Sequence, residues 1–133
     1  MTGPVHFDLD AMKASDAALR ADLAAKMRAE ARSDQDRAVT ELVIALQKAN
    51  SEIVLAVTAA TNAGVPAELI ALNLGNGVAA IEGGAIRNTA RYGGETAVTR
   101  FLLAEQAMLE QVLSGQDFGG TVATHKAMAG GHA

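Results

Sequence analysis

SEIVLAVTAATNAGVPAELIALNLGNGVAAIEGGAIRNTAR, residues 51–91, decides how this chain folds. Its first half is β-branched enough to pass for a strand on propensity alone. The apolar positions Val39, Leu42, Val43, Leu46, Ile53, Val54 and Val57, however, recur at three- and four-residue steps through it. That period, held from Val39 to Val57, predicts a helix over 34–62, with Ser33 or Asp34 as its cap. Asn62-Ala63-Gly64-Val65-Pro66 then reads as a stop and restart. Glycine supplies a left-handed C-terminal cap, and proline is tolerated in the first turn of the next helix.

A third helix is expected over 66–91. At about 100° per residue, Ile70, Leu74, Gly77, Ile81 and Ala85 share one side, while Leu72, Ala79 and Ile86 share another. Between them runs a stripe of Asn73, Asn76, Ala80, Gly84, Arg87 and Arg91. A helix with two apolar flanks wants neighbours on two sides. The glycines at 75, 77, 83 and 84 each cost about 1 kcal/mol in a helix relative to alanine, and close approach of another backbone is the expected reason for them. Glu82-Gly83-Gly84 is alternatively a break between two shorter helices.

Outward from this segment the pattern remains helical. Residues 8–33 form a charged amphipathic helix in which Asp8 or Asp10 can cap, and Asp16/Arg20 and Asp22/Lys26 pair four apart. Its apolar stripe of Leu9, Met12, Leu19, Leu23 and Met27 is narrow, as in an arm, a coiled-coil seam or an ordinary surface helix. Tyr92-Gly93-Gly94 marks a turn, and Val98, Phe101, Leu102, Leu103, Met108, Leu109, Val112 and Leu113 give a fourth helix over 95–114. Residues 115–133, Gly-rich and without a sustained period, are expected to be a flexible tail. The fold class is therefore all-α: one domain of about four helices in an antiparallel or elongated bundle.

Charge is unevenly distributed. Thirteen of the 26 charged side chains lie in residues 1–37, whereas 49–86 hold only Glu52, Glu68 and Glu82. The first segment is solvated and the middle is expected to be covered. Half the residues are apolar but only 3% are aromatic, so little side-chain bulk is at hand for a private core. Such a chain is stable if its helices approach closely or if assembly completes the core.

Several functional classes are disfavoured. A net charge of −4 without a basic run does not make a nucleic-acid groove. There is no cysteine for a disulfide, a thiolate metal site or a nucleophile. His6, His125 and His132 sit in the terminal segments, outside any metal-ligand spacing. Glu68 and Glu82 would stand about 21 Å apart on one helix, against about 5–10 Å for a carboxylate pair in catalysis. As sparse carboxylates in a neutral surface they are instead candidate pH-sensitive contacts. Gly75-Asn76-Gly77 lacks the third glycine and the lysine of a phosphate loop. No catalytic residue, cofactor or metal is expected. For a ligand pocket, the Asn73/Asn76/Arg87/Arg91 stripe is the one candidate. No run of 18 consecutive apolar residues exists, so no stable membrane span is expected. The N-terminus lacks a basic and apolar leader pattern, which favours the cytoplasm.

One resemblance emerges from the middle segment. The Ile-x-x-x-Val-Thr run from Ile53 to Thr58, then Asn62, then Gly64-Val65-Pro66-Ala67 opening a small-residue helix that ends near Asn88, resembles the Reb proteins, the subunits of bacterial R-bodies. It covers residues 53–91, about a third of the chain. The resemblance implies subunits that polymerise into ribbons rolled into a hollow coil, extend on acidification and are associated with killing or membrane rupture. The chain departs from that pattern in its charged first helix, in Glu68, and in Tyr92-Gly93-Gly94-Glu95 where a Gln-rich stretch is usual.

Two functions follow as expectations. The first is a structural, self-assembling α-helical subunit, R-body-like, whose partner is itself or a related helical protein. Its interface would comprise Ile70, Leu72, Leu74, Gly75, Gly77, Ala79, Ile81 and Ile86. The second is a helical-bundle adaptor, chaperone or regulator that forms a discrete oligomer.

Overall fold

The computed structural model describes residues 5–115, and the expected tail lies almost wholly outside them. Every regular element among the described residues is α-helical: α1 (Leu9–Glu30), α2 (Asp34–Asn62) and α3 (Ala67–Leu113). The chain divides into two compact units, Met1–Asn76 and Gly77–Ala133.

In the first unit α1 and α2 form an antiparallel helical hairpin whose ends are defined by local chemistry. Asp8 caps α1 by accepting from the Ala11 amide at 3.0 Å. Ser33 caps α2 in a full capping box: its Oγ accepts from the Asp36 amide at 3.0 Å, and Asp36 Oδ2 accepts from the Ser33 amide at 3.2 Å. These reciprocal bonds satisfy amides that the first turn of a helix leaves free.

Three polar links step along the hairpin. Arg28 is bidentate on Glu41, with Nε at 2.7 Å and Nη2 at 3.0 Å. Ser51 Oγ donates to Asp16 Oδ1 at 2.8 Å, while Arg20 Nε donates to the other carboxylate oxygen at 2.8 Å. At the far end the Phe7 amide donates to Asn62 Oδ1 at 2.8 Å, and Asn62 Nδ2 returns a bond to the Phe7 carbonyl at 2.7 Å. The face of α1 that turns inward carries Leu9, Met12, Asp16, Arg20, Ala24 and Met27. Leu19 and Leu23 of the expected stripe point outward, 69% and 42% exposed. Thus α1 is one leg of a hairpin and not a free arm.

The stop at residues 62–66 takes the form its composition predicts. Gly64 has φ +78°, the Val65 amide donates to the Ala60 carbonyl and the Gly64 amide to the Thr61 carbonyl. This is the paired bonding of a Schellman cap, in which only glycine holds the left-handed position without strain. The Pro66 carbonyl accepts from Leu69 and Ile70, launching α3.

Helical backbone runs through Gly83-Gly84 without a break, as in the helix expected over 66–91, and the alternative of two shorter helices there does not occur. Two expectations about the rest are corrected. Residues 95–113 continue α3 beyond a non-helical Gly94, so there are three helices in place of about four. The interruption expected at Tyr92-Gly93-Gly94 is a kink inside α3, where Gly94 has φ 67° and ψ −163°. L-residues are essentially barred from that conformation. The bundle core is also missing: among the described residues the only buried side chain is Ala24, at 7% exposure. Residues 71–80, expected to be covered, are exposed throughout.

Candidate functional site

The feature demanding explanation is uncovered apolar surface. In the first unit Ile53, Ala56, Val57 and Ala60 of α2 face Val65, Leu69, Ile70, Asn73 and Leu74 across an open groove of about 420 Å³. The groove lies at the Schellman cap and Pro66, where the end of α2 meets the first turns of α3. Ile70 is half-buried at its edge, while Leu72 and Leu74 are 61% and 38% exposed. Asn73 donates its side-chain amide to the Leu69 carbonyl of its own helix, at 2.8 Å.

In the second unit Val78 and Ile81 are 46% and 64% exposed, Gly77 and Ala79 are exposed, and Ile86 is half-buried. The expected close approach at the glycines does not occur within the chain. A Cβ built on Gly75, Gly77, Gly83 or Gly84 meets no atom within 4 Å. Four interior glycines therefore weaken the helix by about 1 kcal/mol each with no compensating contact among the described residues. Arg87 and Arg91, the basic end of the polar stripe, make no ion pair among the described residues.

The second unit does bring together one pair that sequence reasoning missed. Beyond the Gly94 kink, the neighbouring Glu82 carboxyl, then partial desolvation, raises the Glu105 carboxyl above the usual carboxylate range. Glu82 was singled out from sequence, Glu105 was not. The available signal was symmetry, since the two stand nearly equidistant on either side of Gly94. Glu68 is exposed on the first turn of α3.

Chemistry of other kinds is sparse. Among the described residues no three His, Cys, Asp or Glu side chains converge as metal ligands; His125 and His132 lie outside those residues. By length and composition α2 and α3 are each long and apolar enough to cross a membrane, with mean hydropathy 1.4 and 1.3 over their best 18-residue windows. The interrupted apolar runs read from sequence thus still average to membrane-like windows. No family model, curated protein or solved structure matches the chain.

Proposed function

We propose that this chain is a structural subunit that completes its core by self-assembly, with the apolar surface of α2 and α3 as the contact. The observation carrying this is the pairing of nearly complete exposure with Gly75, Gly77, Gly83 and Gly84, whose Cβ positions meet nothing among the described residues. Large apolar side chains left in water forgo about 1.5–3 kcal/mol each. A second copy supplies both the missing burial and the backbone that exploits a side-chain-free helix surface. Ile70, Leu72, Leu74 and Gly75 in the first unit, and Gly77, Ala79, Ile81 and Ile86 in the second, form the contact surface, arranged in a bundle between chains. Its role is non-enzymatic and needs no cofactor. The Reb resemblance over residues 53–91 extends the proposal to an open-ended, R-body-like polymer of this chain with itself or a related helical protein in the cytoplasm.

Light scattering with negative-stain microscopy on the full chain, at neutral pH and near pH 5, tests it. Ribbons or filaments support the polymer. A monodisperse dimer or tetramer at both pH values replaces it with the discrete adaptor or regulator, and a dilute, stable monomer overturns self-assembly altogether. The hydropathy of α2 and α3 supports a second reading, insertion into lipid. Co-flotation with neutral phosphatidylcholine vesicles in place of self-association would establish that reading.

A further inference from the structure

The outward side of α2 carries a second regularity. Val39, Leu42, Leu46, Ala49, Ile53 and Ala56 stand alternately three and four residues apart, the spacing that keeps one apolar seam facing a partner helix. This seam points away from α1, whose links to α2 leave from Glu41, Ser51 and Asn62. Val39, Leu42 and Leu46 are 59%, 60% and 61% exposed, and Ala49 and Ala56 are exposed as well. At its far end the seam runs into the open groove of about 420 Å³, whose lining includes Ile53 and Ala56 from α2 and Leu69 and Ile70 from α3.

We propose that two copies of the chain pair through this seam in antiparallel register, with Val39 and Leu42 of each copy seated in the groove of the other. Resting on the self-assembly reading, this pairing fixes the face, the orientation and the register of one contact. Four of the six seam positions lie before residue 53, outside the Reb resemblance.

The seam complements itself in one orientation. Run antiparallel, Leu46 of one copy meets Ala49 of the other, Leu42 meets Ile53, and Val39 meets Ala56, so that two of the three layers set a large side chain against a small one. Two-fold symmetry makes each of these contacts occur twice. A parallel pair instead stacks Leu46 on Leu46 and Ala49 on Ala49, which crowds one layer and leaves a void in the next, and both faults are destabilising. Charge permits the same choice. No charged residue belongs to the seam, and the charges beside it are already paired within the chain, Lys48 with Glu52 at 3.9 Å and Arg28 with Glu41 at 2.7 Å. In the antiparallel register Glu52 falls level with Val43 of the other copy, so the pairing sets no carboxylate against its own counterpart. The exposed large side chains in the first half of α2 and the unfilled groove at its end thereby answer one another, twice over.

The chain has no cysteine, so Val39→Cys and Ala56→Cys each report on one position alone. The two positions stand about 25 Å apart along one helix, beyond the reach of a disulfide within a copy. The full-length variants are oxidised singly and as an equimolar mixture, and the products are identified by mass. Antiparallel pairing predicts a disulfide between the two variants in the mixture and none in either variant alone. Disulfides within each variant alone indicate a parallel pair and overturn the proposal, as does the absence of any disulfide in a chain that ultracentrifugation shows to be associated. Self-assembly survives both of those results, whereas a chain that sediments as a monomer overturns the pairing and self-assembly together. A packing swap checks the register independently. Ala56→Leu fills the space that Val39 of the other copy takes and should weaken association at least about tenfold. Adding Val39→Ala to it should restore the parent value, and because the two residues never meet within a copy, such rescue comes only from contact between copies. Failure of the second substitution to restore association overturns the register.

Discussion

The α1/α2 hairpin and α3 are both long helical segments, yet they are held by opposite means. The hairpin is stitched by polar groups that meet their partners inside the chain: a capping box at Ser33, a bidentate Arg28–Glu41 pair, Asp16 gripped by Arg20 and Ser51, and the Phe7–Asn62 clamp. In α3 the Glu105 carboxyl is raised by its neighbour Glu82, and a Cβ on Gly75, Gly77, Gly83 or Gly84 would meet nothing within 4 Å among the described residues. Where a chain satisfies its own polar groups, it specifies its own geometry. Where it leaves small and apolar residues unanswered, geometry is deferred to whatever it meets.

The largest expected effect breaks this contrast directly. Gly77→Leu or Gly75→Leu places bulk where nothing among the described residues lies within 4 Å of the new Cβ. The isolated helix should therefore gain up to about 1 kcal/mol from improved propensity. Self-association, however, should weaken at least tenfold, about 1.4 kcal/mol, as read by analytical ultracentrifugation. An equally conspicuous change on the outer face of α1, Leu19→Ala, should leave association nearly unchanged. Equal losses from both would show that α3 is not the privileged surface. Next in size is Gly94→Ala. Holding an L-residue at the Gly94 dihedrals costs about 1–3 kcal/mol, so the variant should straighten α3 into continuous helix and separate Glu82 from Glu105. Loss of the raised Glu105 titration is the readout, and its persistence would mean the kink does not depend on glycine.

Legibility followed the same division. The helix over residues 34–62, its Ser33 cap and its Gly64 stop were all readable, because each rests on chemistry local in sequence: a hydroxyl three residues from an amide, or a glycine at a left-handed position. The turn at Tyr92-Gly93-Gly94 was readable as a place. Its form was not, since helical hydrogen bonding resumes at once on both sides of Gly94 and makes one kinked α3 of what periodicity divides into two helices. The low charge of residues 49–86 suggested burial and was misleading. Low charge records a shortage of solvated groups, without recording whether the chain covers that segment itself. Glu105 escaped notice because its meaning depends on a contact with a residue on the other leg of the kink.

A smaller effect probes the stitched region. Ser33→Ala removes one half of the capping box and leaves the Asp36 amide without its partner. The loss should be about 1 kcal/mol, seen as a lowered thermal midpoint of the α1/α2 hairpin. Ser33→Asp, which retains an acceptor oxygen, should recover most of it. The same substitution should not alter the Glu82–Glu105 pair, so a coupled shift in Glu105 titration would argue that the two regions are not independently held.

The smallest effect is the most discriminating, because the two regions should answer pH with opposite signs. Asp16 is held below its ordinary value chiefly by the Arg20 hydrogen bond and then by Ser51, and Glu41 chiefly by the bond from Arg28. A carboxyl whose folded value is depressed adds stability above its unfolded value, and that contribution is lost as pH falls through the folded one. The hairpin should therefore loosen only in acid, below the ordinary carboxylate range. Glu105 is displaced upward, so its contribution is complete in acid and fades as pH rises through its elevated value. Amide hydrogen exchange from pH 3 to 8, corrected for intrinsic exchange, should show protection in α1 and α2 rising with pH while protection in residues 82–105 falls. Asp16→Asn with Glu41→Gln should flatten the first trend and leave the second intact. If both regions moved together with pH, the carboxylates would be reporting a global change in charge, and the contrast between the hairpin and the region around Glu105 would have no electrostatic basis.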